Sequence, residues 1–542
     1  MAELVLGPLQ RFADETSATV WVETDERCEV TVLGSTVATF SVHDHHYALV
    51  EIDGLEPGTT YPYEVALDGR RVWPPVDYDR PDPVIRTGGH GDAQIAFGSC
   101  RGAAPLEPPW NLERYEDERG LGPDALTAYA HRMIDADEDE WPDLLLLLGD
   151  QVYADDASPQ TRAFIRERRD TTQPPWEEIA DFTEYTQLYR ESWSAPLVRW
   201  LLSTVPVAMI FDDHDIIDDW NISERWLHDI RATGWWHERI VGGLVAYWIY
   251  QHIGNLSPTA LAADDLYQRV RRSDDAGTLL DRFAEDADAD PETVRWSFER
   301  WLGDDHLIVV DSRAARVLTE GERDMLDDIE WRWLEAKAAE QCRHLLLATS
   351  LPVLMPRSMH DLERWNERLV GGAWGRRVAR WAEDVRQEFD LEHWSAFRVG
   401  FRRMVNLIGN AALRRDGPMS VTVLSGDVHH GYIARLDVPN ATTPVHQVVA
   451  SPMRQSVEPL LLRAYRVGVG PPGRLVAAAL ARLAGLGPSP VHWERVSETL
   501  FDNHVATVTA AADALDVRIE TAHQTRPSGP AELRPAIARR LA

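Results

Sequence analysis

The stretch DLLLLLGDQVY, residues 143–153, runs five leucines into a glycine and then into Asp150 and Tyr153. A continuous apolar run bounded by turn residues reads as a strand buried on both faces. The same grammar recurs along the chain. IAFGSC ends at Cys100, VAMIFDDHD at Asp212, Asp213, His214 and Asp215, and LIVVDSR at Asp311. LLLATS ends at Ser350, and VTVLSGDVHH at Asp427, His429 and His430. In open α/β sheets, ligands bind beyond the carboxyl ends of the strands. One edge is therefore expected to collect carboxylates, imidazoles and a thiol. A lone strand-end Asp usually caps the next helix; several, enriched in His and Cys, are hard to read as caps. Carboxylates brought together repel unless a cation neutralises them, and Asp, His, Cys and Tyr are all metal ligands. A carboxylate such as Asp150 can bridge two ions. Two ions roughly 3.5–4 Å apart can hold an activated hydroxide and clamp a phosphoryl group. Turns at Gly149 and Gly426 let the backbone approach closely without steric cost.

Outward from these strands, the chain divides by texture. Residues 1–87 read as all-β, with short β-rich segments such as ATVWVET, CEVTVLG and HYALVEI. Within GLEPGTTYPYEV, the spacing of Leu55, Pro57, Thr59 and Tyr61 resembles the tyrosine corner of a fibronectin III or immunoglobulin-like sandwich. RVWPPVDYDRPDPVIRTGG is rich in Pro, Asp and Gly and reads as a linker. From Gln94 onward, apolar runs alternate with helical patterns, the mark of an α/β domain. Residues 156–200 and 222–300 read as mainly helical insertions. Near the end, VATVTAAADALDVRIETA reads as a β-hairpin, and PAELRPAIARRL as a terminal helix. RLVAAALARLAGLG reads as a packing helix rather than a membrane anchor.

Composition narrows the function classes. The chain has 542 residues, 88 of them acidic and 55 basic, for a net charge of −33. So acidic a protein is not expected to bind nucleic-acid polymers or anionic lipid over a broad surface. Three scattered cysteines, Cys28, Cys100 and Cys342, do not make a disulfide framework. The N-terminus lacks a basic and then apolar leader pattern, and no run approaches the ~18 apolar residues of a membrane span. The expectation is a cytoplasmic protein.

GSCR, GDQVYAD, FDDHD and SGDVHHG, in this order and these strand contexts, resemble the PhoD-like (alkaline phosphatase D) branch of the calcineurin-type metallophosphatases. The likeness spans about residues 94–455 and includes WRWLEAK and LEHWSAF. It implies a four-layer α/β sandwich over 88–542, two packed sheets flanked by helices, preceded by the small β-sandwich of 1–87. Carried over residue by residue, it implies metal ligation by Cys100, Asp150, Tyr153, Asp213, Asp427 and His429. It places His214 at the catalytic or phosphate-contacting position. Arg101 has two readings, a clamp on a phosphoryl oxygen or a salt bridge; His430 has two, substrate contact or support of a ligand. The superfamily's Asp-x-His first motif is absent here, and Ser350 stands where a separate His motif would fall. Asp218 and Asp219 stand where the branch often has Asn-Asn.

A phenol has an ordinary pKa near ~10, so a Tyr ligand calls for a strongly Lewis-acidic ion. The resemblance implies Fe3+ with Ca2+, with Mn2+ or Zn2+ as other candidates. The expected activity is hydrolysis of a small phosphate ester, monoester or diester, by a metal-activated hydroxide. The alternative is a non-catalytic metal protein whose β-sandwich binds a partner or glycan.

Overall fold

The computed structural model describes residues 1–89, 91–457, 462, 465, 467–526 and 529–542. Two large sheets carry the architecture. One has six strands in the order Val207–Ile210, Leu144–Leu148, Ala93–Gly98, His504–Ala510, Leu515–Gln524 and Ala531–Arg540. The other has seven, in the order Phe298–Leu302, Asp305–Val310, His344–Thr349, Ser420–Ser425, Val445–Val449, Tyr432–Asp437 and His492–Arg495. The apolar runs are strands, as their composition requires. Those of the first sheet's Ala93–Gly98, Leu144–Leu148 and Val207–Ile210 are mutually parallel, so their carboxyl ends share one edge. Asp305–Val310, His344–Thr349, Ser420–Ser425 and Val445–Val449 are likewise parallel.

Period-two alternation explains why these strands are apolar throughout. In His344–Thr349, Leu346 and Ala348 join the core shared with the six-stranded sheet. Leu345 and Leu347 join a second core, with Trp331, Leu334, Phe401 and Met404 from helices Asp328–Ala338 and Arg398–Leu413. The result is two sheets packed face to face, with helices outside. The expected insertions are helical: Pro159–Arg168, Phe182–Trp193 and Pro196–Thr204 in the first, Glu224–Arg231, Trp236–Tyr247 and Gly277–Ala289 among those in the second.

The N-terminal region is all-β, with sheets in the orders Leu4–Ala13, Ser17–Thr24, His45–Asp53, Phe40–Val42 and Ser35–Ala38, Glu29–Val32, Val65–Leu67, Arg70–Trp73. Ala18, Val20 and Val22 face the small core between these sheets. Trp21, Tyr47 and Leu49, on the opposite face, belong to the main core of the molecule. Tyr61 Oη accepts the Glu56 backbone N–H at 2.8 Å, a local tie across the Leu55–Tyr61 corner.

Two expectations change. The segment read as a linker contributes strand Val84–Arg86, which pairs with Thr60–Pro62 and closes the region. The hairpin of His504–Ala510 and Leu515–Gln524 is present, but the segment read as a terminal helix is the strand Ala531–Arg540. Its Ala, Leu and Arg content favours a helix locally. Pro535 is intolerable inside one, yet fits an edge strand at the irregularity where it opposes Glu520. Helix Pro471–Leu483 packs as expected, but through Ala477 and Ala481, while Leu475 stays 74% exposed. No helix among the described residues is long and apolar enough to cross a membrane.

Leu346 lies fully buried between the sheets, so Leu346→Ala is expected to lower unfolding free energy by about 2–5 kcal/mol. Denaturant titration checks this; a loss of under about 1 kcal/mol would contradict the shared core.

Candidate metal centre

The parallel strand ends deliver their acids to one place. Asp150, Asp212, Asp213 and Asp427 each offer an oxygen, and these atoms lie within 4.8 Å of one another. The two sheets meet here. Ser99 Oγ accepts the Asp427 N–H at 2.9 Å, and a Cβ on Gly426 would lie 2.1 Å from that hydroxyl. Gly149 has φ +98°, and a Cβ there would fall 2.5 Å from Asp212 Cβ. Only glycine permits both approaches.

The backbone bends sharply to aim these groups. Cys100, Asp150, Asp427 and His429 have φ of 55°, 50°, 66° and 50°, in the left-handed region that non-glycine residues seldom adopt. Such outliers persist where the surroundings over-determine them and cluster at functional sites. Asp215 is part of that surrounding: Oδ2 accepts the N–H groups of both Asp150 and Asp212 at 2.9 Å, and Oδ1 accepts from Gln251 Nε2 at 3.1 Å.

Cys100 Sγ lies 3.2 Å from Asp150 Oδ2 and 3.4 Å from the Asp427 carbonyl oxygen. Tyr153 packs its ring 4.8 Å from that of His214. Tyr153 Oη, Asp150 Oδ1 and Asp212 Oδ2 are buried without a hydrogen-bond partner. Burial pushes the Asp150 carboxyl well up, against the pull of His214, and pushes Asp213 up to about 6. Burial, with Asp150 beside them, also raises the Cys100 thiol and the Tyr153 phenol. Orphaned acceptors, converging carboxylates, a thiol and a phenol form a donor set that fits cations, which reverse these shifts by favouring the deprotonated ligands.

His214 Nδ1 is 2.8 Å from Asp155 Oδ2, leaving Nε2 toward the open side, 3.8 Å from Asp218 Oδ1. Burial disfavours its imidazolium, but Asp155 and Asp213 outweigh burial and hold its pKa well above the ordinary value. His429 follows Asp427 on the same turn; burial lowers its pKa to about 4, leaving the neutral imidazole a metal requires. His430 turns away: its ring bonds the Val428 carbonyl and Tyr465 Oη, the latter at 2.7 Å.

The Arg101 clamp is corrected. Its side chain is buried, Nε and Nη2 hold Asp124, with Nη2 at 2.7 Å from Oδ2, and Nη1 donates to the Ser192 carbonyl at 3.0 Å. All three nitrogens are engaged, so the salt bridge prevails, and it is buried rather than superficial. Asp311 and Ser350 also stay outside the cluster. Asp311 caps the following turn, accepting from the N–H groups of Arg313, Ala314 and Ala315. Ser350 Oγ pairs with Ser312 Oγ at 2.9 Å.

Two groups escaped the sequence reading. Fully buried Arg313 bonds Asp212 and Glu392 and lies 3.1 Å from Asp213 Oδ1 and 3.7 Å from Asp427 Oδ1. His393 bridges Glu363, at 2.6 Å, and Asp427 Oδ2, at 3.4 Å. Burial opposes the Asp427 carboxylate, yet His393 and Arg313 hold it well below the usual range. Both lay inside quoted segments, LIVVDSR and LEHWSAF, but nothing local marks a residue that will meet a carboxylate far along the chain.

The PhoD-like phosphatase family profile matches residues 124–460. A family described as a domain of unknown function (DUF7800) matches residues 1–85. Among curated proteins none matches. A solved structure titled "Structure of PhoD" superposes with a TM-score of 0.59 at 13% identity, covering 98% of this chain and 89% of that one. At that identity the likeness speaks for the fold.

Arg313→Met leaves Asp212 buried without its cation and Glu392 with Arg316 alone. It is expected to destabilise the metal-stripped protein by about 3–5 kcal/mol, read by denaturant titration. For Asp124, burial works against the carboxylate, but Arg101 and Arg454 hold its pKa at about 2 against an ordinary 3.8. The stability it contributes is complete above about pH 4 and is lost as pH falls toward 2, about 2 kcal/mol in all. Asp124→Asn is expected to flatten that acid limb; an unchanged limb would refute the assignment.

Proposed function

We propose, from the premise that the chain belongs to the PhoD-like phosphatase family, that it is a metal-dependent phosphoric-ester hydrolase acting on small phosphate esters. The observation that carries this reading is the convergence of Asp150, Asp212, Asp213 and Asp427 within 4.8 Å. In it Cys100, Asp150, Tyr153, Asp213, Asp427 and His429 hold the metal, with Asp212 added beside them. The thiol and phenol suit Fe3+, and the hard carboxylate oxygens suit Ca2+. When bound, such ions activate water and neutralise charge developing on the phosphoryl oxygens.

The chain's own residues do the rest. Asp155 fixes His214 by its Nδ1, so protonated Nε2 is presented to the open side. There it donates its proton to the departing ester oxygen, the work of a general acid. Arg313 and His393 fix the direction of Asp213 and Asp427, and Asp215 fixes the turns that carry Asp150 and Asp212. Arg101 acts behind them by tying the Cys100 turn to Asp124. The same reading takes residues 1–87 as a fibronectin III/Ig-like sandwich, supported by the Tyr61–Glu56 tie, and 88–542 as the metallophosphatase domain.

Asp150→Asn is expected to lose both bound metal and hydrolysis, tracked by elemental analysis and rates on an aryl phosphomonoester and a bis-aryl diester. Full activity with normal metal content in that variant would end this reading. A wild-type protein that retains metal and turns over neither ester would favour the alternative, a non-catalytic binding protein.

A further inference from the structure

A continuous chain of hydrogen bonds joins the N-terminal β-region to the metal centre. Arg11, on strand Leu4–Ala13, is fully buried and reaches out of its own sheet. Its Nε donates to the Val207 carbonyl at 3.1 Å, Nη1 to the Tyr250 carbonyl, and Nη2 to the Gln251 carbonyl at 2.7 Å. Val207 opens the edge strand that runs into Asp212 and Asp213. Asn255 brackets the same edge, its side chain bonding Met209 N at 2.9 Å and Met209 O at 2.6 Å. Tyr250 and Gln251 lie in a π-helical turn, Trp248–His252, an interruption that recurs at functional sites.

A second contact from the β-region reaches that turn. Tyr250 Oη donates to Glu23 Oε2 at 3.0 Å and lies 3.2 Å from Tyr47 Oη, with the Trp21 ring 5.2 Å away. Gln251 then carries the chain inward. Its Nε2 donates to Tyr189 Oη at 2.9 Å and to Asp215 Oδ1 at 3.1 Å. The other Asp215 oxygen accepts the N–H groups of Asp150 and Asp212.

We propose that the N-terminal β-region is a constituent of the metal centre rather than an appended module, holding Asp215 in place through Arg11, Tyr250 and Gln251. Gln251 is the positioning residue. With its carbonyl pinned by Arg11, its amide has one direction, and that direction fixes the Asp215 carboxylate. Asp215 in turn holds Asp150 in the left-handed conformation, which an unrestrained chain would leave. Outer partners of this kind typically change metal affinity or activity 10–100-fold. The inference rests on the metal-dependent hydrolase reading of the centre.

The test uses the full-length protein as purified, dialysed against graded EDTA, with resident metal read by elemental analysis. Gln251→Met and Arg11→Met are each expected to release metal at about 10–100-fold lower EDTA than wild type. The double variant should fall no further than the weaker single one, since both act through Asp215. Should Arg11→Met not fold, Tyr250→Phe replaces it. Leu346→Ala, destabilised but outside this chain of contacts, should retain metal like wild type when kept folded. Variants that lose melting temperature yet hold metal as wild type does would reduce the β-region to structural support and overturn the inference. A metal-loaded wild type that hydrolyses neither ester would instead sink the functional reading alone.

Discussion

Four carboxylates, those of buried Asp150, Asp212 and Asp213 and of half-buried Asp427, share one small volume. Two like charges 4 Å apart repel by about 4 kcal/mol at an effective dielectric of ~20. An ordinary hydrogen bond returns about 1 kcal/mol net, so hydrogen bonding alone cannot hold this group together ionised. The surroundings answer with positive charge. Arg313 reaches all but Asp150 among the four, and His393 lies 3.4 Å from Asp427. Asp150 and Tyr153 keep buried oxygens with no hydrogen-bond partner. The residual demand is for cations, and the chemistry proposed for the site follows from that demand.

The same constraint explains the architecture's rigidity. Like charges held in place need a frame that cannot relax, and the frame is two sheets whose parallel strands end together. Close approach at Gly149 and Gly426 and left-handed turns at Cys100, Asp150, Asp427 and His429 concentrate strain at those ends. The strands are apolar on both faces because each face is packed, Leu346 and Ala348 inward, Leu345 and Leu347 outward. The N-terminal sheet is packed on both faces for the same reason, with Trp21 and Tyr47 committed to the main core.

The net charge of −33 takes on a more specific meaning. A few acids face one another inside the protein, where Arg313 and His393 balance them in part; the great excess lies elsewhere on an acidic exterior. That exterior repels anions at long range, and the local field of the centre must draw a substrate in. The small phosphate esters of the proposed function meet that condition better than polyanions do.

The reading of Cys100, Asp150, Asp213 and Asp427 as strand-end groups was possible from sequence because it needs only local information: an apolar run, a glycine or small residue, then a polar one. The β character of the N-terminal region and the 504–524 hairpin were legible for the same reason. The two readings of Arg101 could not be separated in the sequence because its neighbours Asp124 and Ser192 are distant along the chain, and the last strand was misread because an edge strand's partner overrides the helix preference of Ala, Leu and Arg. Arg313, His393 and Gln251 carried no local mark at all. What the sequence determined by itself is which strands exist and which chemical groups end them, since burial on two faces writes itself into composition. What only the tertiary structure decided is which of those groups meet, because Asp311 and Ser350 end strands as Asp150 does, and proximity across hundreds of residues depends on how the sheets pack.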